Sequence, residues 1–213
     1  MATYDLEEQE QLDELKAWWK RWGKLTVAGV AIVAAAAGGW RYWQYQGEVQ
    51  RVEGAVIFGK LTQSLQGGDT KAAREAGSAL IGKYPNTPYA PRAALLLGKL
   101  SAGEKDGKGA QAQFEWVIAN SKEAALKDLA RLRLASILLD EKQYDAALKQ
   151  LASAHSDAYG FRFDDLKGDV LLAQNKPADA RSAYDAALKK MDAGNPYRQV
   201  VELKLDGLGG PLE

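Results

Sequence analysis

Three stretches of the chain superimpose without a gap: LLLGKLSAGEKDGKGAQAQF (95–114), LRLASILLDEKQYDAALKQL (132–151) and DLKGDVLLAQNKPADARSAY (165–184). In each, a small residue (Gly98, Ala135, Gly168) is followed twelve positions later by alanine (Ala110, Ala147, Ala180). A large one (Phe114, Leu151, Tyr184) comes sixteen positions later. The units are offset by 37 and 33 residues. Such self-similarity is the mark of a stacked array, in which each helical hairpin buries its apolar face only against its neighbours. Small residues at the first two positions let the paired helices touch. The bulky third residue is expected to fill the space against the next hairpin.

This is the logic of a tetratricopeptide-type repeat, and the expected fold class is all-α: a single N-terminal transmembrane helix followed by an α-solenoid of tetratricopeptide-like hairpins. Apolar periodicity predicts helices over 46–66, 70–83, 89–102, 108–120, 122–140, 143–153, 161–174, 177–191 and 196–206. Pro88, Pro177 and Pro196 fall at helix starts, where a missing amide proton costs nothing. Residues 47–83 read as a degenerate hairpin. The last helix reads as a cap with Val200, Val201, Leu203 and Leu205 partly buried. The glycine-rich turn from Gly103 to Gly109 is expected to be the loosest joint.

Before the array lies LTVAGVAIVAAAAGGWRYW (25–43), which carries no charge from Leu25 to Trp40. As a helix that part spans roughly 24 Å, somewhat short of a bilayer core. Trp22 on one side and Trp40, Tyr42 and Trp43 on the other supply interfacial rings, and the Arg41 stem can carry its guanidinium out to the headgroups. The domains expected are therefore a head (1–24), a transmembrane helix (25–45) and a tetratricopeptide-like domain (46–213). Lys16, Lys20, Arg21 and Lys24 abut the run on its N-terminal side, against the dispersed Arg41, Arg51 and Lys60 beyond it. That bias places the head in the cytoplasm. A cleaved signal peptide with an Ala-x-Ala site at Ala34 and Ala36 is the alternative; the long acidic head and the aromatic closure oppose it. Ala31, Ala35 and Gly39, spaced by four, offer a helix-helix contact face.

Chemistry finds little support. With 28 Lys and Arg against 28 Asp and Glu, the chain has no basic excess for nucleic acid. It has no cysteine and one histidine, which excludes thiolate chemistry and multi-histidine metal sites. Gly103 to Gly109 is one residue short of a phosphate loop and has Gly109 where Ser or Thr should stand. His155 reads as a surface or half-buried residue. Asp164, Asp165 and Asp169 read as a solvated face, with 165 and 169 on one side of the helix. No cofactor, metal or catalytic residue is assigned. The first helix of each hairpin should line a concave protein-binding surface. Its candidates are Arg92, Leu95 and Lys99, then Leu132, Ser136 and Leu139, then Arg162, Asp165, Asp169 and Leu172.

Taken together, the acidic head with Tyr4, the stretch Trp18-Trp19-Lys20-Arg21-Trp22-Gly23-Lys24, and the closure Gly39-Trp40-Arg41-Tyr42-Trp43 resemble the YfgM-like ancillary subunits of the bacterial Sec translocon. So do Leu132-Arg133-Leu134-Ala135 and the Gln174, Asp179-Ala180-Arg181, Ala183-Tyr184 pattern. The resemblance covers nearly the whole chain and implies a single-span inner-membrane protein facing the periplasm. It further implies Sec translocon subunits and a PpiD-type periplasmic chaperone as partners. Readings from the residues that stay open are a cell-envelope scaffold with other partners and a signal-cleaved soluble periplasmic binding protein.

Overall fold

Helices account for every regular element in the computed structural model, which describes residues 2–209, with side chains at Glu8 and from Glu10 onward. The side chains of Tyr4, Asp5 and Glu7 lie outside the described residues. In order the helices are α1 (Ala2–Gln66), α2 (Thr70–Lys83), α3 (Tyr89–Gly103), α4 (Gly107–Asn120), α5 (Ala124–Asp140), α6 (Tyr144–Leu151), α7 (Asp157–Ala173), α8 (Pro177–Lys189) and α9 (Arg198–Asp206). The chain divides into two units between Gln50 and Arg51.

In the first unit almost every side chain is exposed, including Trp22, Trp40, Arg41, Tyr42 and Trp43. Among the described residues one helix, near the N-terminus, is long and apolar enough to cross a membrane by length and composition. The Trp40 and Trp43 rings lie 5.9 Å apart, and Gln46 donates to the Tyr42 hydroxyl at 3.0 Å. Gly23 is buried because the Trp19 indole lies across it. Nothing stands within 4 Å of the space a Cβ would take at Gly29, Gly38 or Gly39, so the small-residue faces are open.

The second unit is built from one joint used four times. At Gly68, Lys105, Lys142 and Asn175 the backbone enters the left-handed region, with φ of 75°, 61°, 59° and 61°. These residues follow one another at intervals of 37, 37 and 33. Around Lys105 the Lys105 and Asp106 amides donate back to the carbonyls of Ala102 and Ser101, satisfying groups that the helix end leaves open. The same pair of bonds recurs at Gly68 and Asp69, at Lys142 and Gln143, and at Asn175 and Lys176. The fourth copy shows that the last turns of α1 pair with α2 in a hairpin that keeps the joint of the others. Asp69 and Asp106 add side-chain caps to the helices that follow, each accepting an amide at 2.9 Å. The Gly103 to Gly109 joint is therefore bonded as tightly as the others. Gly109 sits there because Asp106 occupies the place its Cβ would need.

Packing within two of the hairpins corrects one expectation. In α3–α4 and α7–α8 the bulky residue lies directly over the small residue of its own hairpin, not against the next. A Cβ added at Gly98 would come 2.5 Å from the Phe114 ring, and one at Gly168 would collide with the Tyr184 ring. Phe114 is 2% exposed and Tyr184 fully buried, so neither ring can retreat. In the first hairpin the sizes are reversed: the equivalent positions hold Leu61 and Gly77, and Leu97 of the next hairpin fills the space over Gly77. An exposed helix-interior glycine normally gains about 1 kcal/mol on replacement by alanine. For Gly98→Ala the ring contact reverses the sign, and we expect a loss of about 1–2 kcal/mol by denaturant titration. Phe114→Leu in the same chain should recover part of it.

The 33-residue interval has a local cause. α6 ends at Leu151, six residues shorter than α4, and a loop replaces its last turns. Asp128 of α5, 2% exposed, accepts from both the amide and the hydroxyl of Ser156 at 3.0 Å, and from Arg131 at 3.3 Å. His155 stacks on Phe163 with centroids 4.1 Å apart, and its Nδ1 lies 3.0 Å from the Ser153 carbonyl. This polar knot seats the start of α7 at residue 157, four residues before periodicity alone suggests.

Candidate protein-interaction surface

Because the hairpins repeat, equivalent side chains of α3, α5 and α7 share one side of the stack. Leu95, Leu132 and Asp165 occupy one register position, and Lys99, Ser136 and Asp169 the next. Their environments differ sharply along the array.

At the α3–α5 step the surface opens into a cavity of about 250 Å³. Leu95, Leu96, Lys99 and Ala102 of α3 line one wall. Leu129, Arg133, Ser136 and Ile137 of α5 line the other, with Phe114 of α4 as the floor. Three expected residues thus come together: Leu95, Lys99 and Ser136. Arg133, Leu129 and Phe114 were not among the candidates. On α5 the groove-facing stripe runs through 129, 133, 136 and 137, a rotation of one residue from the 132, 136, 139 stripe, or about 100°. Leu132 accordingly packs in the core at 8% exposure, and Leu139 is half-buried against it. The signal that finds Arg133 is its four-residue spacing from Leu129 and Ile137, not its distance from Ala135.

Arg92 is committed inside the stack. Its guanidinium binds Glu123 at the start of α5 through two bonds of 2.7 and 2.8 Å, and reaches the Pro88 carbonyl at 2.6 Å. Such fork-to-fork pairing fixes geometry as well as charge.

At the far end α9 covers the same register. Lys204 bridges Asp165 and Asp169 at 2.8 Å each, Tyr197 donates to Asp165 at 2.8 Å, and Tyr184 donates to Asp169 at 2.8 Å. Asp165 is 4% exposed, so the pair forms an internal network and not the solvated face expected from its spacing. Arg162 remains exposed, its guanidinium 5.5 Å from the rings of Phe161 and Tyr197, and Leu172 is 41% exposed. Val201 and Leu205 turn inward, whereas Val200 and Leu203 stay on the outer side.

The network also titrates. Burial pushes the Tyr184 phenol well up, with the hydrogen bond to Asp169 adding to it, and burial followed by Asp165 raises Tyr197. Burial opposes the charged form of Lys204, but its bonds to Asp165 and Asp169 outweigh that and raise it. All three groups hold their protons more tightly folded than unfolded. The unfolded chain therefore releases protons first, above the ordinary values of 10.0 for tyrosine and 10.5 for lysine. We expect stability contributed by these groups to be complete below pH 10 and to fall as pH rises beyond it. Loss of α9 protection in hydrogen exchange should precede loss elsewhere in the array.

Among the described residues no group of three metal-ligating side chains is close enough to hold an ion. The arrangement offers instead an open apolar groove with basic flanks at one end and a closed ionic seal at the other.

Comparison with known proteins agrees with this architecture. A family described as "Tetratricopeptide repeat-like domain" matches residues 16–210. The chain is 31% identical to a protein of Neisseria gonorrhoeae named "Ancillary SecYEG translocon subunit", over 98% of this chain and all of that one. It is 29% identical to a protein of the same name from Aggregatibacter actinomycetemcomitans, over 97% of this chain and all of the relative. The namesake from Escherichia coli is also 29% identical, over 98% of this chain and 99% of its own length. No solved structure matches the chain significantly. A hairpin array that repeats one joint four times, a single long apolar N-terminal helix and end-to-end similarity to these relatives together establish that the chain belongs to the tetratricopeptide repeat-like family of YfgM-like ancillary SecYEG translocon subunits.

Proposed function

We propose that this protein is a non-enzymatic adaptor of the Sec translocon, anchored in the bacterial inner membrane and linking the channel to periplasmic chaperones of the PpiD type. Residues 1–24 would face the cytoplasm, 25–45 cross the bilayer as interfacial residues Trp22, Trp40, Arg41, Tyr42 and Trp43 bracket it, and 46–213 stand in the periplasm. The observation that carries the reading is the end-to-end similarity to proteins named ancillary SecYEG translocon subunits, which runs through the apolar segment as well as the repeats. Orientation rests on Lys16, Lys20, Arg21 and Lys24 before the apolar run. The repeat domain supports a binding role because its surface varies between open and sealed along one register while its joints stay constant.

Purification of the tagged chain in mild detergent should recover translocon subunits together with a periplasmic chaperone. Repeated recovery of neither, with the anchor intact, would sink the adaptor. A reporter active only in the periplasm, joined to the C-terminal end, should be active. Fractionation that leaves the chain soluble would instead favour release by signal cleavage.

A further inference from the structure

We infer that the groove between α3 and α5 binds a partner segment that pairs apolar side chains with carboxylates. This deepens the adaptor reading and rests on it, by naming the chemistry the repeat surface selects.

The cavity, about 250 Å³, is sized for one or two large side chains and falls short of a drug-sized site. Its floor and walls are apolar, with Phe114 beneath and Leu95, Leu129 and Ile137 at the sides. Two charged residues line it, Lys99 from one helix and Arg133 from the other. Both are exposed, and among the described residues neither has an ion-pair or hydrogen-bond partner. The half-buried Arg74 and Arg92, by contrast, are paired, with Glu104 and Glu123. No carboxylate lines the groove. Two uncompensated cations from opposite walls of one apolar slot attract anions and repel cations at the same place. The occupant that satisfies both features is a peptide segment with a large apolar residue flanked by Glu or Asp. A helix or strand with only basic flanks would leave four like charges facing one another.

The test uses the full chain in detergent micelles and two fluorescein-labelled peptides. One interleaves leucine and phenylalanine with glutamate; the other replaces every glutamate by lysine. The glutamate peptide should bind more tightly by about five- to ten-fold, since rim ion pairs contribute modestly each. Added salt should narrow the gap. In the double variant Lys99→Glu, Arg133→Glu the preference should invert, and because both side chains are exposed the far-UV dichroism should not change. Equal binding of the two peptides overturns the inference, as does a preference that survives the double variant. Self-association that the double variant abolishes and the glutamate peptide fails to compete would identify a second copy as occupant, also overturning it. Recovery of translocon subunits by the same wild-type sample separates the two readings. Peptide selectivity without recovery removes the adaptor and keeps the groove; recovery without selectivity does the reverse.

Discussion

Tyr184→Ala should lower the unfolding free energy of the repeat domain by about 4 kcal/mol, the cost typical of removing a large ring from a core. The ring is fully buried and lies over Gly168, where no side chain can grow into the space it leaves. Its hydroxyl is a separate contribution: Tyr184→Phe keeps the packing, loses one bond to Asp169 and should cost about 1 kcal/mol. Lys204 still holds that carboxylate, which keeps the second number small. Chemical denaturation followed by far-UV dichroism distinguishes the two variants. If Tyr184→Ala and Tyr184→Phe lose the same amount, ring packing across the hairpin is not what holds α7 to α8. Because a repeat array unfolds by neighbouring units, the alanine variant should free α8 and α9 before the first hairpins.

Lys204→Met should cost about 3 kcal/mol, near the lower end for breaking a buried pair, because Tyr197 still donates to Asp165. The variant keeps the stem of the side chain and removes the only cation that bridges Asp165 and Asp169 among the described residues. A double variant, Asp165→Asn with Lys204→Met, should recover part of the loss, since the carboxylate no longer needs compensation. Hydrogen exchange localises the effect: α9 amides should lose protection in the single variant and regain some in the double. Unchanged α9 protection in Lys204→Met would show that Val201 and Leu205 alone seat the helix.

What could be read in advance divides by the kind of physics involved. Helix positions were legible because apolar spacing and the breakers between helices are local, and the limits of α2 and α8 lie within two residues of expectation. The repeat was legible because a small residue, an alanine and a large residue recur at fixed spacing. That same rule hid the first hairpin, where Leu61 and Gly77 exchange sizes and no small residue leads. The partners of Phe114 and Tyr184 were misjudged for a related reason: sequence shows that Phe114 needs space, while only geometry shows that Gly98 supplies it. The groove was half visible. Leu95, Lys99 and Ser136 follow from counting along the unit, but α5 is rotated by one residue relative to that count, bringing Arg133 to the groove and taking Leu132 into the core. Asp165 and Asp169 share a helix face as expected, yet their partner is 35 to 39 residues away on α9, beyond the reach of any local pattern.

The recurring joint also bears on how such a chain changes length. Gly68, Lys105, Lys142 and Asn175 carry different side chains yet the same backbone path and the same pair of return bonds. Duplicating one turn-to-turn block would present each new neighbour with a joint it already accepts. Descendants of this array can therefore gain or lose docking frontage in whole increments, the modular growth of a rail extended section by section, without any joint being reinvented.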